Sequence, residues 1–225
     1  MRTLENKIRR AQEVIRRAAT LYRAEKTAVA WTGGKDSTVL LHCIRSVYGG
    51  IVPFPVLFND STMEFDEVYQ FVSYLTRLWN LNVRVFKHGH DELEEFHAIT
   101  NANKRLEALR LMKISAINRF QKKYGIEAFI AGIRRDEHNA RSRETYFSAR
   151  STHMRVHPIL HFTESDVWAY TRRFHVPYVR LYDQGYRSLG EKAYTRKAIP
   201  GQGERSGREP EKEYLMEKLR NMGYW

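Results

Sequence analysis

Residues 28–41, Ala28-Val29-Ala30-Trp31-Thr32-Gly33-Gly34-Lys35-Asp36-Ser37-Thr38-Val39-Leu40-Leu41, constrain the chain more than any other stretch. An apolar run of strand length breaks at two glycines and a Lys-Asp-Ser-Thr cluster, and apolar residues then return at helical spacing. The pattern predicts a strand, a tight turn and a helix start. Glycine admits positive φ and close backbone approach. The first turn of a helix leaves N–H groups unpaired and carries partial positive charge, so an anion such as phosphate docks there. Trp31, Thr32, Gly33, Gly34, Lys35, Asp36, Ser37 and Thr38 are therefore candidate nucleotide-binding residues. The Walker loop does not fit, because Lys35 is followed by Asp36 and Val29 stands where its first glycine belongs. The plainer alternative is a turn that needs glycine before a helix capped by Asp36 or Ser37.

The rest of the chain alternates in the same way. Leu4, Ile8, Ala11, Ile15, Ala18 and Tyr22 predict an amphipathic helix over 3–25, whose stripe packs on a sheet or, alternatively, against another subunit. Strands are expected at 27–31, 53–58, 83–86, 128–131 and 154–160. Helices are expected at 36–47, 64–79 and 103–124, and from 163–166 through Phe174. Such alternation predicts an α/β fold: an open, mainly parallel twisted sheet with helices on both faces. From 177 onward periodicity fades into an irregular C-terminal extension. The division expected is an α/β nucleotide-binding domain over 1–175 and a substrate loop with a docking segment over 176–225. Within the latter, 191–210 reads as mobile and 211–222 as a short docking helix. His88-Gly89-His90 reads as a loop.

In an open parallel sheet ligands bind beyond the carboxyl ends of the strands. That places Asn59, Asp60 and Ser61 after the second strand, and Gly132 after the fourth, beside the first loop. Ser61 or Thr62 equally suits a helix cap. Arg134, Arg135, Arg141, Arg143 and Arg150 follow the fourth strand, interleaved with Asp136, Glu137 and Glu144. A solvated charge run explains such composition. At a strand end, however, guanidinium groups clamp phosphate or sulfate oxygens in bidentate fashion. The stretch Asp183-Gln184-Gly185-Tyr186-Arg187-Ser188-Leu189-Gly190 is aromatic, glycine-bearing and polar, like a substrate loop.

A formal net charge of +12 selects polyanions as partners, whether nucleotides, sulfate or RNA. The single Cys43 excludes an intrachain disulfide and a cysteine-ligated zinc or iron–sulfur site built from this chain alone, and its helical apolar neighbours predict a buried thiol. His153, His157 and His161 recur every fourth residue, but Pro158 denies them a shared helical face, so zinc is discounted. No apolar run approaches the roughly 20 residues of a membrane span, and no signal-peptide core follows the charged N-terminus, so a soluble cytoplasmic protein is expected.

Thr32-Gly33-Gly34-Lys35-Asp36-Ser37 resembles the S-G-G-x-D-S pyrophosphate loop of the N-type ATP pyrophosphatases, with threonine for the usual serine. Together with Asp60-Ser61-Thr62, Gly132-Ile133-Arg134-Arg135-Asp136-Glu137, Ser142-Arg143 and Phe147, it makes nearly the whole chain similar to the phosphoadenosine phosphosulfate reductase family. The first four strands look like the small subunit of bacterial sulfate adenylyltransferase. Leu181 to Gly190 is closer to FAD synthetase. The reductases' Glu-Cys-Gly-x-His motif is missing, since no cysteine follows Cys43.

The resemblance implies adenylyl transfer from ATP to sulfate, or alternatively to FMN, with Mg2+ bridging the phosphates and Asp36 positioning the ion indirectly. It assigns Lys35, Arg134 and Arg135 to catalysis and Asp60 and Ser61 to adenosine. Arg141, Arg143, Asp183, Gln184, Gly185, Tyr186, Arg187, Ser188 and Gly190 go to the acceptor anion. A GTPase large subunit accompanies the sulfate enzyme, and a homo-oligomer is a further expectation. A sulfonucleotide reductase using a partner's cysteine, an RNA-modifying ATP pyrophosphatase and a non-catalytic ATP sensor are the remaining alternatives.

Overall fold

The computed structural model of the chain describes residues 3–208, leaving aside the side chains of Ala102 and Asn103. In chain order the elements are α1 (Leu4–Leu21), β1 (Thr27–Ala30), α2 (Lys35–Val47), β2 (Val56–Asp60), α3 (Asp66–Leu78), β3 (Val83–Lys87), α4 (His90–Ala98), α5 (Ala102–Tyr124), β4 (Ala128–Ala131), β5 (Phe147–Ala149), β6 (Met154–Val156) and α6 (Glu164–Arg173). The six strands lie in the order β3-β2-β1-β4-β6-β5. All pairings are parallel except that of β5 with β6. β1 sits inside the sheet, with Val29 opposite Val56 on one side and Ile130 on the other.

Strand alternation divides the apolar residues between two faces. Val29, Val56, Phe58, Ile130 and Val156 join Ala11, Ile15, Leu40, Val68 and Tyr170 of α1, α2, α3 and α6 in the main core. Ala28, Leu57 and Phe129 meet Phe120 and Ile117 of α5 on the other face. Val176, Val179 and Leu181 are buried in the main core, so the chain beyond 175 is packed on the same body.

Several expected elements are revised. β6 ends at Val156 rather than reaching 160, because Pro158 has no N–H to extend a ladder and the chain turns, with the Leu160 and Phe162 N–H groups donating to His157 and Ile159 carbonyls. His90 is not in a loop: it opens α4, at whose start the Glu92 carboxylate accepts the Gly89 N–H (2.8 Å) and which buries only Phe96. β5 is an edge strand of three residues within the charged stretch. The stretch 191–208, read as mobile, is bonded to the sheet body. The docking helix expected at 211–222 lies outside the described residues.

Candidate functional site

The loop between β1 and α2 is built from its own side chains. Gly33 takes φ +74° against Val68, whose Cγ1 stands where a Cβ would need to be. Gly34 ends the extended segment as the residue before α2, and no side chain caps the helix there. The Ser37 hydroxyl accepts the Thr32 N–H (3.3 Å) and donates to the Gly34 carbonyl (3.0 Å). Thr38 Oγ1 also donates to that carbonyl (2.9 Å) and accepts the Trp31 indole N–H (3.1 Å). Asp36 and Ser37 therefore do not cap α2. Instead the N–H of Lys35 donates to the phenol oxygen of Tyr182 (3.0 Å), which arrives from the C-terminal extension.

A cavity of about 250 Å³ opens beside this loop at the carboxyl ends of β1, β2 and β4. Trp31, Thr32, Gly34, Lys35, Asp36, Ser37, Asn59, Gly132, Arg141, Ser188 and Gly190 line it, as their sequence positions suggest. Gly132 is required sterically: a Cβ there would lie 2.9 Å from Ser37 Cα and 3.0 Å from the Asp36 carbonyl carbon. Glu64, Lys113, Glu137, Arg155, Tyr182, Arg205 and Arg208 also line the cavity.

Two buried cations are tied together at this loop, Lys35 lining the cavity and Arg134 not reaching its surface. The Lys35 ammonium donates to Asp36 Oδ2 (3.1 Å), to the Arg187 carbonyl (2.9 Å) and to the Glu204 carboxylate. Arg134, with no solvent exposure, donates through Nε to Asp36 Oδ1 (2.5 Å), through Nη1 to Asp136 Oδ1 (2.6 Å) and through Nη2 to Glu204. Burial opposes the charge on Lys35, but Asp36, Tyr182 and Glu204 outweigh it and raise its pKa. Arg134 is raised the same way by Asp36 and Glu204. Burial raises Glu204, and the neighbouring Asp36 and Glu137 carboxylates add to it, against Lys35 and Arg134. Glu137 is held low against its own burial by Arg141 and Arg205. Both Asp36 oxygens are engaged, and no group of three or more His, Cys, Asp or Glu side chains among the described residues is arranged to hold a metal ion. The residues do not form a protein-only metal site.

Other expected site residues fall elsewhere. Arg135 is exposed and turned away from the cavity: its guanidinium bonds the Glu144 carbonyl (3.1 and 2.5 Å) and His161 (3.2 Å). Arg143 is exposed and does not line the cavity. Asp60 closes a local turn, accepting the Thr62 N–H (2.8 Å) and the Tyr69 hydroxyl (2.7 Å), while Ser61 donates to Glu64 (3.0 Å). Neither faces the cavity.

Asp183 accepts from Tyr178 (3.0 Å), Gln184 is exposed, and Gly185 ends a short 3-10 turn at φ +95°. Tyr186 packs on Phe65. Arg187 pairs with Glu164 (2.5 Å) and reaches Lys35 through its carbonyl only. Cys43 is fully buried as expected, its thiol pushed up to about 12 by burial. No helix among the described residues is long and apolar enough to cross a membrane.

The chain is similar to the sulfate adenylyltransferase subunit 2 of Rhizobium meliloti (strain 1021), with 31% identity over 183 residues covering 68% of this chain and 60% of that protein. It thus spans about 60% of that relative's length. The phosphoadenylyl-sulfate reductase of Candida auris in its phosphate complex superposes with TM-score 0.69 at 23% identity, over 83% of this chain and 90% of the other. The FMN adenylyltransferase of Candida glabrata, in complex with FMN and the ATP analogue AMPCPP, does so with TM-score 0.66 at 17% identity, over 97% and 82%. The phosphoadenosine phosphosulfate reductase domain model matches residues 26–197, so the chain belongs to that family.

Proposed function

We propose that the chain is an ATP-dependent adenylyltransferase, with sulfate as acceptor. The acceptor oxygen attacks the α phosphorus in line, the bond to the β-phosphate oxygen breaks, and pyrophosphate leaves. The observation that carries this reading is the convergence of two buried cations, Lys35 and Arg134, on two shared carboxylates, Asp36 and Glu204, at the N-terminus of α2. Such chemistry asks for positioning and charge neutralisation rather than a covalent catalyst. The 32–37 backbone would receive the β and γ phosphates, Lys35 would neutralise the leaving pyrophosphate, and Arg134 would hold the α phosphate or the acceptor. Magnesium, when bound, supplies further neutralisation, its ligands being mostly phosphate oxygens and water, with Asp36 the nearby carboxylate.

Arg141, Arg205 and Arg208 line the cavity, a cationic setting that suits a small anion. The three tyrosines available to an FMN slot do not come together in the cavity beside the β1 loop. Tyr178 and Tyr182 pack edge-on against Trp168 at 5.2 and 5.5 Å, while Tyr186 lies against Phe65 at 5.4 Å. Within the given sequence Cys43 is the one cysteine and is buried, so a reductase role would take its thiol from elsewhere. The subunit 2 name of the relatives supports a larger partner subunit.

Pyrophosphate release from ATP, measured with sulfate and with FMN, tests the reading. Sulfate-dependent release is expected; FMN-dependent release overturns the acceptor, and no release with either overturns the sulfate and FMN readings together. Lys35→Ala should abolish release in a chain that still folds, and full turnover in that variant refutes the role of the loop. Steeply salt-dependent tRNA binding without release would point to RNA instead.

A further inference from the structure

The three protons of the Lys35 ammonium are taken by protein groups, and each of the three Arg134 guanidinium nitrogens donates to one. Asp36, Asp136 and the Arg187 carbonyl belong to the loops that build the site. Glu204 does not: it comes from the strap 196–208 and, like Asp36, is bonded to both cations. Apart from Glu204, the strap is tied to the body by polar contacts alone: the Ala198 N–H donates to the Gly185 carbonyl (3.0 Å), Arg187 donates to the Gln202 carbonyl (2.9 Å), and Arg205 and Arg208 pair with Glu137 (2.9 Å) and Glu191 (3.8 Å). Within the strap, the Arg196 N–H donates to the Gly207 carbonyl (2.9 Å) and the Ile199 N–H to the Ser206 hydroxyl (2.9 Å). Its tip, Ile199 to Gly203, is exposed and packs no buried apolar side chain.

We propose that Glu204 is an internal stand-in for a phosphoryl group, plugging the Lys35–Arg134 anion subsite until a pyrophosphate or the β,γ-phosphates of a nucleotide displace it and release the 196–208 strap. This rests on the adenylyltransferase reading only for the name of the natural ligand. The geometry supports it directly. A carboxylate bridging two buried cations sits where the proposed reaction needs phosphate oxygens, and a phosphate carries more charge and more acceptor oxygens than the carboxylate it replaces. Burial disfavours the Glu204 charge and raises its pKa, which eases its departure. A ligand that binds only the unplugged state has its affinity reduced by the fraction unplugged, so removing the plug tightens binding.

The test uses the full chain and inorganic pyrophosphate as probe, read by calorimetry and by amide hydrogen exchange of the strap. Pyrophosphate should speed exchange at 196–208 while slowing it at 32–38. Glu204→Gln should speed strap exchange without ligand and lower the pyrophosphate Kd by on the order of tenfold. Gly207→Val gives an independent route, because a Cβ there collides with the Arg196 carbonyl and forces the two arms of the strap apart, disturbing the placement of Glu204 without touching either cation. It should tighten pyrophosphate binding in the same direction.

Slower strap exchange on adding pyrophosphate overturns the plug, as does weaker binding by Glu204→Gln or no tightening in Gly207→Val. Absence of pyrophosphate binding in all three proteins overturns it as well. ATP turnover with unchanged strap exchange would sink the plug and spare the proposed reaction. Strap release by pyrophosphate without any turnover of ATP would do the opposite.

Discussion

Gly132→Ala tests the closest backbone approach in the site. The added Cβ would stand 2.9 Å from Ser37 Cα and 3.0 Å from the carbonyl carbon and oxygen of Asp36. All three obstacles are backbone atoms of the first turn of α2, so no side chain can swing away. Relief requires β4 and the start of α2 to part by a few tenths of an ångström, and both are locked in the central sheet and the main core. Overpacking of this kind costs about 1–3 kcal/mol. Each kcal/mol lowers the melting temperature of a chain this size by roughly 2–4 °C.

The same shift moves the 35–37 backbone relative to Arg134, so pyrophosphate release should fall by about tenfold or more beyond any loss of folded protein. Urea unfolding midpoints and nucleotide affinity, measured on the same preparation, separate the two effects. Gly49→Ala is the control: nothing lies within 4 Å of its Cβ, and φ +62° alone costs roughly 1–2 kcal/mol with nucleotide affinity unchanged. A Gly132→Ala protein with wild-type midpoint and wild-type affinity would refute the steric reasoning.

Arg134→Ala should lose about 3–5 kcal/mol of stability, because Asp36, Asp136 and Glu204 are left facing one another. Arg135→Ala should cost turnover far less, and equal losses in the two variants would return Arg135 to the site. His157 is fully buried, its pKa lowered to about 4 by burial despite Glu144 at 3.4 Å, with Arg155 and Arg150 reinforcing the drop. Folding favours its neutral form over its charged form. The stability it supports is complete above the unfolded pKa near 6.5 and is lost as pH falls toward 4. The wild type should therefore lose about 3 kcal/mol more than His157→Gln over that window in urea unfolding, and parallel pH curves would contradict this.

The β1 loop and the parallel alternation were legible because each rests on local chemistry: glycines before Lys35-Asp36-Ser37, and apolar runs of one length and spacing. The same holds for Gly132 and Asn59, which follow from strand ends. Arg135 was misplaced because adjacent arginines on extended chain point in opposite directions, and only the fold shows that Arg134 is the one turned inward. α4 was hidden by its composition, since one buried Phe96 among acidic residues gives no helical stripe. β5 is three residues long and borrows its register from Arg155 and its neighbours. Glu204, Arg205 and Arg208 carry no local signal at all. In sequence they belong to a polar, glycine-rich stretch, and their roles come from cations on segments far away along the chain.

The pairing of β1 on both sides has a consequence for how the protein is made. Thr27 to Ala30 meets β4 through Ala128 to Ala131, so the central strand keeps one edge open while the ribosome adds the whole of α2 to α5. Distant parallel pairing of this kind is slow to form. A nascent chain halted before Ala128 would present an unpaired hydrophobic edge to its neighbours, and translation stalls in that interval should yield aggregates rather than a smaller folded unit.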